Sequence, residues 1–260
     1  MEMHEIRPEI SQALLTNPGI GFIAAPELMN AEPNALRDSR GQIVAPYKFT
    51  PDGRTWNHPD SGVLFCSCRW KDIEPLQGTY DWRCLEEKLD AAAALGCTCI
   101  VRISPYALSA QEDIPAWLRM RYPEEPEFPF WRIDPNTTEY PRLWAALIRN
   151  FAARYDGDPR ITSVDMAIVG AWGEGGGTEN MEETAMKTVI AAYMEGFPHT
   201  PLTALLHDPK SLACIRAFPK QVGFRVDCLG DMGGFHGDRW SHMLDFYPEN
   251  IQNFQMGDAW

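Results

Sequence analysis

The sequence predicts an α/β fold built from successive strand–helix units on a parallel sheet. Short apolar runs rich in Val, Ile, Phe and Cys alternate with longer segments whose apolar residues recur at helical spacing, which is the pattern of βα repeats. Six such runs occur within 260 residues, and a single parallel barrel takes about 250 residues. The expected architecture is therefore a TIM-like (β/α)8-type barrel, with about six βα units in this chain and the C-terminal part missing. No internal repeat and no linker divides the sequence. Residues 1–260 are read as one barrel domain, truncated before a seventh strand.

The strand candidates are residues 19–25, 62–69, 97–103, 161–169, 202–206 and 222–228. Between the second and third, DWRCLEEKLDAAAALG puts Leu85, Leu89, Ala92 and Ala93 on one stripe and stops at Gly96, a helix C-terminal signal. The segment PRLWAALIRNFAARY repeats the pattern with Leu143, Leu147, Phe151 and Ala152 inward, and the DGDP turn ends it. Further helices are expected over 181–195 and 240–256. Two long loops, 30–60 and 104–136, are read as lids or binding loops, because long ordered loops in a compact domain usually serve function.

Acidic residues outnumber basic ones by 36 to 23, a formal net charge of −13. That balance repels phosphate backbones and anionic lipid surfaces, so neither a nucleic-acid nor a membrane partner is expected. Neutral ligands are favoured. Nine Trp fit a carbohydrate partner, since pyranose faces stack on indole rings, although Trp also fills cores. The opening MEMHEIRPEI lacks the basic and apolar regions of a signal peptide, and no run approaches the roughly 20 apolar residues of a membrane span. As given, the chain reads as cytoplasmic; a secreted or periplasmic location stays open if a signal was removed. Cys66 with Cys68, and Cys97 with Cys99, share one strand face each. Buried free thiols are expected there rather than a zinc site, which favours C-x-x-C spacing. No cofactor and no metal are anticipated.

The segment RWKDIEPLQGTYDWRCLEEKLDAAAALGCTCIVRI is similar to the second and third βα units of clan A glycoside hydrolases, particularly the catalytic barrel of family 42 β-galactosidases. Trp70, Ile73, Glu74, Pro75, Gly78, Tyr80, Asp81 and Trp82 carry the match. The spacing also makes physical sense: Pro75 and Gly78 shape a turn, and Asp81 can cap the helix that follows. DPRITSVDMAIVGAWGE resembles the clan's fourth strand, whose C-terminal end carries the acid/base Glu. The resemblance thus implies that role for Glu174. The chain also resembles a group of glycosidase-like (β/α)8 proteins that share NPGIGF near the start and GAWGE here. Two departures stand out. The clan usually carries Asn before the acid/base, and here that residue is Gly173; the clan's nucleophile ends a seventh strand, which on this count lies beyond residue 260.

Glycoside hydrolysis needs an acid that protonates the leaving oxygen and a carboxylate across the anomeric carbon, about 5–5.5 Å away for retention and about 6.5–9.5 Å for inversion. Glu174 suits the first role, with Trp172 beside it to exclude water and Gly175–Gly177 to let substrate approach. That glycine run lacks the P-loop pattern and its Lys. Asp231 is the internal candidate for the second carboxylate. Arg69 and Arg102 near strand ends offer guanidinium forks for hydroxyl pairs, Trp70 and Trp240 offer aromatic faces, and His207 and Asp208 follow the fifth strand. Each alone is as readily a salt bridge or a cap. Together they form a polar mouth at one end of a barrel.

Three readings follow. The first is a retaining O-glycosidase of oligo- or polysaccharides, inactive or weakly active as this chain alone because its nucleophile lies beyond residue 260. The second is a non-catalytic carbohydrate-binding barrel, for which Gly173 speaks. The third, a metal-dependent hydrolase using His207, Asp208, Asp231 and His236, ranks last: no H-x-H pair follows the first strand and no lysine is placed for a bridging carbamate. Open edges at the first and sixth strands predict a homo-oligomer or an unusual closure.

Overall fold

The computed structural model describes residues 62–94, 96–105, 114–121, 134–170, 173–205 and 208–225, together with strands at 23–24, 36–37 and 43–45. In chain order the strands are β1 (Ile23–Ala24), β2 (Leu36–Arg37), β3 (Ile43–Ala45), β4 (Val63–Arg69), β5 (Thr98–Ser104), β6 (Ile161–Asp165), β7 (Leu202–Leu205) and β8 (Gly223–Arg225). Six of them form one sheet in the order β1-β4-β5-β6-β7-β8, and every neighbouring pair is parallel. Consecutive parallel strands joined by helical crossovers are the plan of a (β/α)8-type barrel. The described residues hold six of its strands. β2 and β3 make a separate antiparallel pair inside the segment expected to be a long loop.

The helices are α1 (Trp70–Ile73), α2 (Arg83–Ala94), α3 (Ala116–Arg119), α4 (Glu139–Tyr155), α5 (Glu183–Gly196) and α6 (Pro209–Ile215). None of the described helices is long and apolar enough to cross a membrane. α2 buries the expected stripe, Leu85, Leu89 and Ala92. An oxygen of Asp81 accepts the Arg83 N–H at 3.1 Å in its first turn. At the other end Gly96 takes φ +71°, the Cys97 N–H bonds the Ala92 carbonyl at 2.9 Å and the Gly96 N–H bonds the Ala93 carbonyl at 3.0 Å. This pair of bonds is a Schellman cap, and it needs a residue tolerant of the left-handed region. α3 interrupts the second predicted loop, while the expected helix over 240–256 lies outside the described residues.

Strand register separates two chemistries. Leu64, Cys66 and Cys68 of β4 lie beside Cys99, Val101 and Ile103 of β5, and these side chains join the helix residues in one apolar core. The alternate residues, Phe65, Ser67 and Arg69 beside Ile100, Arg102 and Ser104, form the more polar face that continues through Ser163 and Asp165 of β6. A parallel strand with period 2 cannot serve both surfaces with one residue type. The free thiols of Cys66, Cys68, Cys97 and Cys99 are buried.

The turn after β4 corrects one reading of the sequence. Trp70, expected among the sugar-binding aromatics, is fully buried and packs its ring against Trp117, Tyr140 and Trp144 at 5.1–6.3 Å between centroids. Its indole N–H donates to Glu74 Oε2 at 2.6 Å. Glu74 Oε1 accepts the Gly78 N–H at 2.7 Å, and the Glu74 carbonyl accepts the Trp117 indole N–H at 3.0 Å. The W-x-x-I-E-P-x-x-G run is thus a structural knot in which one buried carboxylate satisfies two donors, consistent with the rule that buried polar groups are hydrogen-bonded.

Burial raises the Glu74 pKa above its ordinary 4.5, against the pull of the bonds from Gly78 and Trp70. A carboxyl whose folded-state pKa is raised contributes stability that is complete below the unfolded value and declines as pH rises through the folded one. Glu74→Ala should destabilise the protein by about 1.5–3 kcal/mol in urea titrations, because the Trp70 donor loses its acceptor. The difference from wild type should shrink as pH rises above about 4.5; a difference that grows with pH would contradict the assignment.

Candidate active site

β6 ends at Asp165, four residues before the expected 169. The Met166 N–H still bonds the Thr203 carbonyl of β7 at 2.8 Å, and from Ala167 the chain is held from outside the sheet. The Trp144 indole N–H donates to the Ala167 carbonyl at 2.8 Å, and the Tyr140 hydroxyl donates to the Ile168 carbonyl at 2.9 Å. Tyr193 clamps Ala167 from both sides, donating to its carbonyl at 3.2 Å and accepting its N–H at 3.3 Å. Burial pushes the Tyr193 hydroxyl pKa up, which keeps it a neutral donor.

This segment delivers the loop that carries Glu174. The loop folds on itself through the Gly175 N–H to Val169 carbonyl bond at 3.1 Å. Gly170 and Gly173 are both left-handed, at φ +97° and +75°. A Cβ on Gly170 would sit 2.5 Å from the Gly176 nitrogen, and one on Gly173 would sit 2.5 Å from Ala167 Cβ and 3.2 Å from Arg102 Cδ. Gly173, where the clan's Asn was missed, therefore has no room for a side chain in this backbone. The departure noted in the sequence follows from local geometry.

Arg102, Asp165, Arg225 and Glu174 converge on the polar face. Arg102 Nε donates to Asp165 Oδ2 at 2.7 Å, and its Nη2 lies 2.6 Å from the same oxygen. Arg225 Nε approaches that oxygen to 2.8 Å. Arg102 Nη1 reaches Glu174 Oε1 at 3.6 Å, and its guanidinium carbon lies 4.7 Å from the centre of the Phe65 ring. The Asp165 side chain is 0% exposed and that of Arg102 6%, whereas that of Glu174 is 43% exposed. Two guanidiniums and two carboxylates balance in charge, which is the condition for keeping such groups out of water. Asp165 was not singled out from the sequence. Its signal was a lone carboxylate in a strand, ITSVD, that carries no other charge.

The other candidates fall into two groups. Arg69 pairs with Asp72 at 3.0 Å, both partly exposed. Asp208 is buried and caps α6, with Oδ1 accepting the Ser211 N–H at 3.2 Å; a Cβ on Gly175 would come within 3.1 Å of its Oδ2, so the cap abuts the glycine loop. Trp172, His207, Asp231, His236 and Trp240 lie outside the described residues. Among the described residues there is no group of three or more His, Cys, Asp and Glu arranged to hold a metal ion.

Residues 61–166 match the model of glycoside hydrolase family 42, β-galactosidase. The barrel resembles that family. The matched span of this family 42-like barrel contains the Trp70–Trp82 turn, Arg102 and Asp165, and ends before Glu174. Similar solved structures include endo-glycoceramidase II from Rhodococcus sp. as its lactosyl-enzyme intermediate, 19% identical with a TM-score of 0.42 over 66% of this chain and 52% of that one. The xylanase XynB from Paenibacillus barcinonensis is 14% identical with a TM-score of 0.43, over 72% of this chain and 59% of that one. The exo-β-1,4-mannosidase Op5Man5 from Opitutaceae bacterium strain TAV5 is 15% identical with a TM-score of 0.40, over 55% of this chain and 25% of that one. The chain thus spans about half the length of the first of these, 52%. No curated protein matches it.

Removing Asp165 leaves two clustered guanidiniums with only the half-exposed Glu174 against them. Asp165→Ala should cost about 3–5 kcal/mol of unfolding free energy, the range for stranding a buried charge. A loss below about 1 kcal/mol would place the pair among screened surface bridges instead.

Proposed function

We propose that this family 42-like barrel is one domain of a retaining glycosidase acting on oligo- or polysaccharides, with Glu174 as its acid/base. The observation that carries the reading is the half-exposed Glu174 carboxylate on the loop after the fourth barrel-forming strand, with one oxygen 3.6 Å from an arginine that is itself anchored by a buried aspartate. In barrels of this kind, catalytic groups come from the C-terminal ends of strands. Arg102 orients Oε1; Oε2 takes no hydrogen bond from a described residue and is the atom proposed to give its proton to the leaving oxygen and later to take one from water.

Asp165 is not proposed as the second carboxylate, because both arginines already engage it. Asp231 remains the candidate within the chain for nucleophile or general base. Arg69 and Asp208, with Trp172, His207 and Trp240, are proposed to line the sugar site. Trp70 is withdrawn because it is core.

The test is turnover of a panel of nitrophenyl β-glycosides by the protein expressed from its whole reading frame. Wild type should release nitrophenol, and Glu174→Gln should lower kcat by about 10²–10⁴-fold, the usual worth of a positioned acid/base. The second reading, a carbohydrate-binding barrel without hydrolysis, is favoured by Gly173, whose backbone leaves no room for an amide that would hold a sugar hydroxyl. Saccharide binding without turnover, unchanged by Glu174→Gln, would decide for it.

A further inference from the structure

Two cysteines stand apart from this site. Cys68 ends the apolar face of β4, and Cys84 is the second residue of α2. Their sulfurs lie 3.5 Å apart, 16 residues apart in sequence and on opposite sides of the Trp70–Glu74–Gly78 knot. Cys68 is buried while Cys84 is partly exposed. Lys88, one helical turn after Cys84, anchors its ammonium on the Ser67 carbonyl, next to Cys68.

We propose that Cys84 and Cys68 form a peroxide-reactive pair, with Cys84 as the attacking thiol and Cys68 as the resolving one. Three features favour Cys84 as the nucleophile. It is the accessible member; it sits in the first turn of a 12-residue helix, where the peptide dipoles favour an anion; and a lysine stands one turn along. The sulfur contact with Cys68 and the Lys88 ammonium hold its pKa below the ordinary thiol value, against burial and the carboxylates of Asp72 and Asp81. The Cys68 pKa is raised by that same contact and by burial, so Cys84 is the member that gives up its proton first.

The chemistry balances with hydrogen peroxide as oxidant. The Cys84 thiolate attacks one peroxide oxygen, the O–O bond breaks, hydroxide leaves and takes up the proton lost by Cys84, and a sulfenic acid forms. Cys68 then loses its proton, its sulfur attacks the Cys84 sulfur, the S–O bond breaks and water leaves. The product is a disulfide, with two waters from one peroxide. The sulfurs must close from 3.5 Å to about 2 Å. The buried pair of Cys66 and Cys99, 2.8 Å apart, has no accessible member to start the same reaction.

The test is stoichiometric hydrogen peroxide on the intact protein, followed by alkylation of remaining thiols and peptide mapping by mass spectrometry. The expected product is one peptide pair linked through Cys68 and Cys84, lighter by two hydrogens and released by a dithiol reductant. In Cys68→Ser, Cys84 should instead accumulate as a sulfenic acid that dimedone traps. Unreacted Cys84, Cys84 driven to sulfinic acid without a crosslink, or a disulfide between other cysteines would each overturn the proposal. The wild-type mapping decides the matter even if the variant fails to fold.

Discussion

The buried carboxylate of Asp165 is the constraint around which the polar face is arranged. Its Oδ2 receives two guanidiniums, from Arg102 of the adjacent β5 and from Arg225 of β8, two strands away beyond β7. Charges withdrawn from water are tolerated when they are paired, and this contact ties side chains of β5, β6 and β8 together. It also fixes Arg102. With Nε and Nη2 engaged on Asp165, only Nη1 is turned toward Glu174, and the position of the proposed acid/base becomes a consequence of an interaction deeper in the fold.

A second device sets the other side of Glu174. The segment after β6 leaves the sheet, and its carbonyls are taken over by Trp144, Tyr140 and Tyr193 from α4 and α5. Helix residues thus determine where the glycine loop begins, and the tight approach of Gly173 to Ala167 and Arg102 determines where it runs. The loop is packed against the ion cluster, which makes a rigid support for one partly exposed carboxylate. Rigid placement of a proton donor is what general acid catalysis demands of a scaffold.

Much of this was legible in the residues. The six apolar runs became the six parallel strands, and α2 was readable down to its terminating Gly96, because helical periodicity and capping are local signals. Failures came where distant residues decide. Trp70 reads as a rim aromatic at a strand end, but Trp117, Tyr140 and Trp144, brought from far along the chain, enclose it. Asp165 reads as one charged residue in a strand of uncharged ones, since its partners lie on other strands. The fourth strand gives out early: the Met166 N–H still bonds the Thr203 carbonyl of β7 at 2.8 Å, but from Ala167 onward side chains of α4 and α5 take the backbone groups. Gly173 was visible as a departure from the clan, and only the backbone showed its cause.

Glu174 is proposed to exchange protons at a glycosidic oxygen. Azide rescue of Glu174→Ala tests it most directly, using an aryl β-glycoside whose leaving group needs no protonation. If Glu174 is the acid/base of a retaining enzyme, azide should restore turnover and yield a glycosyl azide with the β configuration kept, because the anion replaces the water that Glu174 would activate. An inverted azide product, or no restoration where the unmodified protein turns the substrate over, would contradict that role.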